Sequence, residues 1–117
     1  MIMQLQKDEE IPYNLLLLAD ETIEAINRYI NDSEIFIFEK DNETIAVYVL
    51  QKISSGTIEI KNMAVGTKHQ GQGIGTLLLR DAISRAKAKG FKTIVIETGD
   101  TAPKQLYHHM VEALLEK

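Results

Sequence analysis

Residues 57–76, TIEIKNMAVGTKHQGQGIGT, contain both a break in strand periodicity and a glycine-rich turn. Ile58 and Ile60 share one parity, whereas Met63 and Val65 fall on the other. Side chains alternate along a strand, so a regular strand cannot send all four into one core. One extra residue around Lys61-Asn62, a β-bulge, restores the alignment; burial on both faces would make parity uninformative. Polar Lys61 and Asn62 stand where the parity breaks, which favours the bulge. A bulge also splays a strand from its neighbour and leaves amides unpaired. The turn leads directly into a helix with Leu79, Ala82, Ile83 and Ala86 on one face. Together they make a phosphate site: glycines admit a ligand close to the backbone, and the helix dipole adds about half a positive charge.

Two phosphate motifs are excluded. A P-loop needs Gly-Lys-Ser/Thr, but Gly75 is followed by Thr76-Leu77. A dinucleotide fingerprint needs a third glycine where this chain has Leu78. The pattern present is Gln-x-x-Gly-x-Gly, as Gln70-Gly71-Gln72-Gly73-Ile74-Gly75.

Working outward, Gly90 ends the helix as a left-handed cap, with Arg85, Lys87 and Lys89 near its C-terminal end. Thr93 to Glu97 is a strand after a helix, expected parallel to the strand before it. Asp100 or Thr101 caps a further helix with Pro103 in its first turn. Upstream, Met3 to Lys7 is a weak first strand, and Pro12 opens a short helix with Leu15–Ala19 as its buried body. Asp20 is expected to cap a second helix carrying Ile23, Ile26 and Ile30, ending near Asn31-Asp32. The period then changes to two: a strand at Ile35–Phe38, a turn at Asp41-Asn42-Glu43, and a partner strand from Thr44 to Ile53. Ser54-Ser55-Gly56 turns the chain into the strand from Thr57.

The Gln-x-x-Gly-x-Gly turn, the MAV before it, GTLLLRDAISRAKAKG overlapping its end and the TIVIET strand beyond resemble the GNAT superfamily of acetyl-CoA-dependent N-acetyltransferases. The resemblance is close from Asn62 to about Tyr107, and the preceding order of elements also fits. It implies an α/β (α+β) fold in one domain over residues 1–117. The fold would be a mixed β-sheet with a bulged central strand and helices on both faces, lacking one or two C-terminal strands. It implies acetyl-CoA or coenzyme A as co-substrate, and acetyl transfer to a primary amine of a small molecule or peptide. By position, Met63, Ala64 and Val65 would pair with the pantetheine arm. Amides of Gln70, Gly71, Gln72, Gly73, Ile74, Gly75 and Thr76 would hold the pyrophosphate, with Lys68 or His69 assisting. Glu59 stands where some family members carry a catalytic glutamate, and a base is useful because the acceptor amine must lose a proton. Tyr107 stands at the family's proton-donor spacing; a second register would put His109 there instead. The bland readings are a solvated strand residue for Glu59 and a packed helix residue for Tyr107.

After Tyr107 the chain departs from the family. Residues 108–117, HHMVEALLEK, read either as a continuing helix or as a last strand, and both leave the sheet short. The resemblance therefore also admits a coenzyme A-binding remnant without turnover. An uncovered apolar edge at Ile94-Val95-Ile96 is expected to favour a homodimer through the 108–117 segments.

Composition bounds the rest. The 117 residues suit one domain, and 44% hydrophobic with 26% charged residues is ordinary globular usage. Absence of cysteine excludes disulfides, thiolate metal sites and cysteine nucleophiles. Only His69, His108 and His109 are present and no metal motif forms, so no metal is expected. No run spans a membrane and no signal peptide is read, so a cytoplasmic protein is expected. The net charge of −4 conceals a strongly acidic first half and a basic stretch from Lys61 to Lys92. The basic stretch suits a polyanionic ligand, or is simply one helix's solvated face. Glu9, Glu10, Asp20, Glu21 and Glu24 are candidates for attracting a cationic acceptor. Nucleic acid is a poor fit, because the chain is acidic and no aromatics interleave the basic residues.

Overall fold

Alternating apolar residues build an antiparallel meander at the centre of the chain. β2 (Glu34–Lys40) and β3 (Glu43–Lys52) meet at a two-residue turn, with Asp41 at φ 53° and Asn42 at φ 64°. Left-handed geometry at both positions matches the twist of the paired strands, and Asp and Asn tolerate it. The structure, a computed structural model, describes residues 1–96. The expected helix after Asp100, Tyr107 and the 108–117 segment lie outside the described residues.

β1 (Ile2–Gln4) begins one residue earlier than the Met3–Lys7 expectation and is shorter. The five strands among the described residues run in the order β1-β2-β3-β4-β5. The first three pairings are antiparallel, and β4 (Thr57–Val65) runs parallel to β5 (Thr93–Ile96). The crossover between these two is α3 (Ile74–Ala88), and Gly90 at φ 88° ends it as expected.

Helices cover both faces of the sheet. α3 packs Leu78, Leu79, Ala82, Ile83 and Ala86 against Leu50, Ile58, Ile60 and Ile94. α1 (Tyr13–Leu16) and α2 (Ile23–Asn27) cover the other face, where Leu15, Leu16, Ile26, Tyr29 and Ile30 meet Val47, Val49 and Ala64. A polar contact ties the α3 layer to the sheet. The Tyr48 hydroxyl donates to Asp81 Oδ2 at 2.5 Å, and Arg85 Nε donates to the same oxygen at 2.7 Å. Burial pushes the Tyr48 hydroxyl well above its ordinary pKa, and Asp81 adds to the rise.

The bulge is present. Val49 lies opposite Asn62 and Leu50 opposite Ile60, so Lys61 is the extra residue. Met63 and Val65 therefore join Ile58 and Ile60 on the α3 side, while Ala64 turns to the α1–α2 side. Two expectations for α2 fail. Thr22, not Asp20, is its cap: Thr22 is extended and its hydroxyl accepts the Ala25 amide at 3.1 Å. The Asp20 carboxylate is instead held by Tyr29 and Asn62. Ile23 is 46% exposed, because α2 stops at Asn27 and the helical period does not carry through to Ile30.

Candidate active site

At the C-terminal end of β4 the chain makes a short 3₁₀ turn, Thr67–His69, and then the glycine turn. Gln70 Nε2 donates to the Val65 carbonyl at 3.0 Å, fastening this turn to the strand. Gly71 and Gly73 both adopt φ 80°, and a Cβ at either would meet nothing within 4 Å. The turn is thus an open cradle in a backbone conformation costly for other residues. No side chain caps α3 and its first turn carries no acid. Its first amides also lack intrahelical acceptors, so they point outward toward any anion above the turn. Gln70, Gly71, Gln72, Gly73 and Thr76 are exposed there, Gly75 is half-buried, and Ile74 anchors the helix by burial. Lys68 is exposed and His69 half-buried beside the turn.

Alternation along β4 sets the next part of the site. The Gly66 amide donates to the Ile45 carbonyl at 2.7 Å, so the backbone groups of Ala64 face β3. Those of Met63 and Val65 consequently face the other side. Among the described residues, β5 pairs with β4 from Thr57–Thr93 to Ile60–Ile96. Past the bulge, among the described residues, no strand takes this edge, and Gln70 occupies only the Val65 carbonyl. A ligand that pairs like a strand has a row of donors and acceptors available, ending at the glycine cradle.

The bulge gathers a polar cluster on the α1–α2 face. Glu59 is 9% exposed, and its carboxylate lies 3.4 Å from Lys61 Nζ. The Lys61 ammonium sits over the Tyr29 ring, 5.5 Å from its centroid. The Tyr29 hydroxyl donates to Asp20. Asn62 Nδ2 approaches Leu16 O and Asp20 Oδ2 at 3.0 Å and Tyr29 Oη at 3.1 Å. Burial, reinforced by Asp20, raises the Tyr29 pKa, with Asn62 opposing. Sequence reading missed Tyr29 as part of this group. The available signal was Asn62 itself, a polar residue buried at the parity break.

The acidic candidates do not converge on Glu59. Glu9 and Glu10 line a cleft of about 450 Å³ together with Glu39 and Glu43. That cleft lies at the start of β3, whereas Glu59 faces Gln51 near its end, roughly 24 Å along the strand. Glu21 and Glu24 are exposed, and Asp20 alone of the five joins the cluster at the bulge. Among the described residues no acidic or histidine group is arranged to hold a metal. Tyr107 lies outside the described residues.

A mixed sheet opened at a bulge, with a glycine cradle at a helix N-terminus, defines a class of acyl-transfer folds. The chain belongs to the acetyltransferase (GNAT) family, whose model matches residues 2–110. It is 40% identical over 94 residues to the Bacillus subtilis (strain 168) protein called uncharacterized N-acetyltransferase YvbK. That match covers 80% of this chain and 61% of the relative, so the chain spans about three-fifths of the relative's length. A GNAT family acetyltransferase from Elizabethkingia anophelis, solved with acetyl-CoA bound, is 44% identical with a TM-score of 0.86, covering 94% of this chain and 72% of that one. A Bacillus subtilis acetyltransferase solved in complex with CoA is 35% identical with a TM-score of 0.83, covering 95% and 74% of the two chains.

Proposed function

We propose that the chain transfers the acetyl group of acetyl-CoA to a primary amine of a small molecule or peptide. The observation that carries this is the edge of β4 past the bulge, which no strand among the described residues pairs with, continuous with the open cradle at Gly71 and Gly73. A pantetheine arm matches the first and a pyrophosphate the second. In this reading Met63, Ala64 and Val65 form the strand that the arm lies along. The turn from Gln70 through Thr76 holds the pyrophosphate, and Lys68 or His69 adds positive charge. Bound acetyl-CoA supplies the thioester. Glu59 accepts the proton that the acceptor amine must lose, and Tyr107 is proposed as donor to the departing thiolate. The relatives solved with acetyl-CoA and CoA support the choice of co-substrate. A cationic acceptor suits Glu59 and Asp20 at the bulge. We place the protein in the cytoplasm, acting on neither nucleic acid nor membrane; no described helix is long and apolar enough to cross a bilayer.

Calorimetry with coenzyme A, followed by thiol release across a panel of amines, tests this reading. Binding with acetylation of at least one amine is expected. Absence of binding heat at millimolar coenzyme A would overturn it. Binding without turnover on any amine would favour a coenzyme A-binding remnant.

A further inference from the structure

We infer that Lys61 is itself an acetylation site, receiving acetyl from acetyl-CoA bound to the same molecule, with Glu59 as proton acceptor. The inference rests on the acetyl-transfer reading above. Lys61 is the extra residue of the bulge, so it has no partner position on β3 and departs from the strand's regular alternation. Its ammonium lies 3.4 Å from the Glu59 carboxylate and 5.5 Å from the Tyr29 ring centroid. A carboxylate and an aromatic face are the two groups that seat an alkylammonium. Lys61 therefore occupies the place that an external acceptor amine would need. Its side chain is 23% exposed, so the seat is open to a reactant. Met63 lies two residues further on, about 7 Å along an extended strand, a span that a lysine side chain covers.

The step balances with the thioester as the only co-reactant. The Lys61 ammonium passes one proton to Glu59, and the neutral Nζ forms a C–N bond to the acetyl carbon. The C–S bond breaks, and the thiolate leaves with the second nitrogen proton. The products are an uncharged acetamide at Lys61, free coenzyme A thiol and a protonated Glu59. The acetamide no longer pairs with Glu59.

Purified full-length chain incubated with acetyl-CoA, then digested and mapped by mass spectrometry, tests the inference. Exposed Lys7 and Lys52 report the uncatalysed background. Lys61 is expected to gain one acetyl group at least about tenfold faster than either, because a positioned base accelerates the step. The rate per molecule should not change on dilution. Glu59→Gln should return Lys61 to the background rate while the heat of coenzyme A binding persists. The ligand-free protein offers an independent readout: nitrogen NMR should show a Lys61 ammonium protected from exchange, with protection lost in Glu59→Gln. Modification of Lys61 no faster than Lys52, in a protein that binds coenzyme A and acetylates added amines, would overturn the inference and leave the acetyl-transfer reading intact. Absence of both binding heat and acetylated product would overturn the two together. The mapping of the unaltered protein needs no variant to fold.

Discussion

Asn62 Nδ2 has three acceptors within hydrogen-bonding distance, while its Oδ1 is buried with no partner among the described residues. The amide is therefore held by its donor end, and an acceptor in that place would face three acceptors. Asn62→Asp, nearly the same shape, should cost about 3 kcal/mol in urea unfolding at neutral pH. The cost should shrink in acid, once the new carboxyl is protonated and can donate. At the same scale, Glu59→Gln should lower turnover about a hundredfold if Glu59 is the base, without weakening coenzyme A binding. The tyrosines give a pH dependence. Tyr29 and Tyr48 both have pKa values raised above the ordinary 10.0, mainly by burial. Their protonated forms are favoured in the fold, so stability is intact below the unfolded value and lost as pH rises through the alkaline range above it. Urea midpoints at about pH 9 and about pH 11 should differ, and the difference should be smaller in Tyr48→Phe.

The glycine turn sets the prediction for elements. Gly71 and Gly73 take a left-handed backbone, and Gly56, in the turn before β4, does not. Gly73→Ala should cost about 1 kcal/mol from backbone strain alone. It should also weaken coenzyme A binding in calorimetry by moving the first amides of α3. Gly56→Ala, which meets nothing within 4 Å, should leave both measurements nearly unchanged. The bulge was legible in the sequence because parity is a strict rule, and Lys61-Asn62 marked where it failed. The cap of α2 was not. Asp20 and Thr22 are both good caps, and only the packing of Asp20 against Tyr29 and Asn62 removed it from that role.

Among the described residues, five strands are sandwiched between α3 on one face and α1 with α2 on the other, and the candidate site lies along β4 past its bulge. The outer edge of β5 has no partner among the described residues, and Val95 on it is 36% exposed. We propose that two copies associate through this region and the 108–117 segments. Light scattering at micromolar concentration should then give about twice 13.2 kDa, falling when Leu114 and Leu115 are both changed to Asp. A mass near 13.2 kDa, unchanged on dilution, would mean a monomer.

What the sequence determined by itself was local or periodic, although α2 broke the rule in both its cap and its period. The change of period from helix to strand, a bulge around Lys61-Asn62, the left-handed Gly90 and the parallel crossover through α3 follow from alternation, glycine conformation and handedness, each confined to a short stretch of chain. The glycine cradle was legible for the same reason, since strand, turn and helix N-terminus are consecutive. Tertiary structure alone decided which distant groups meet. Asp20 and Tyr29 reach Asn62 across 42 and 33 residues of sequence, and Glu9 and Glu10 end up far from Glu59 despite equal charge. Charge pattern cannot distinguish these outcomes, because burial of apolar neighbours places the helices and the carboxylates go where that packing carries them.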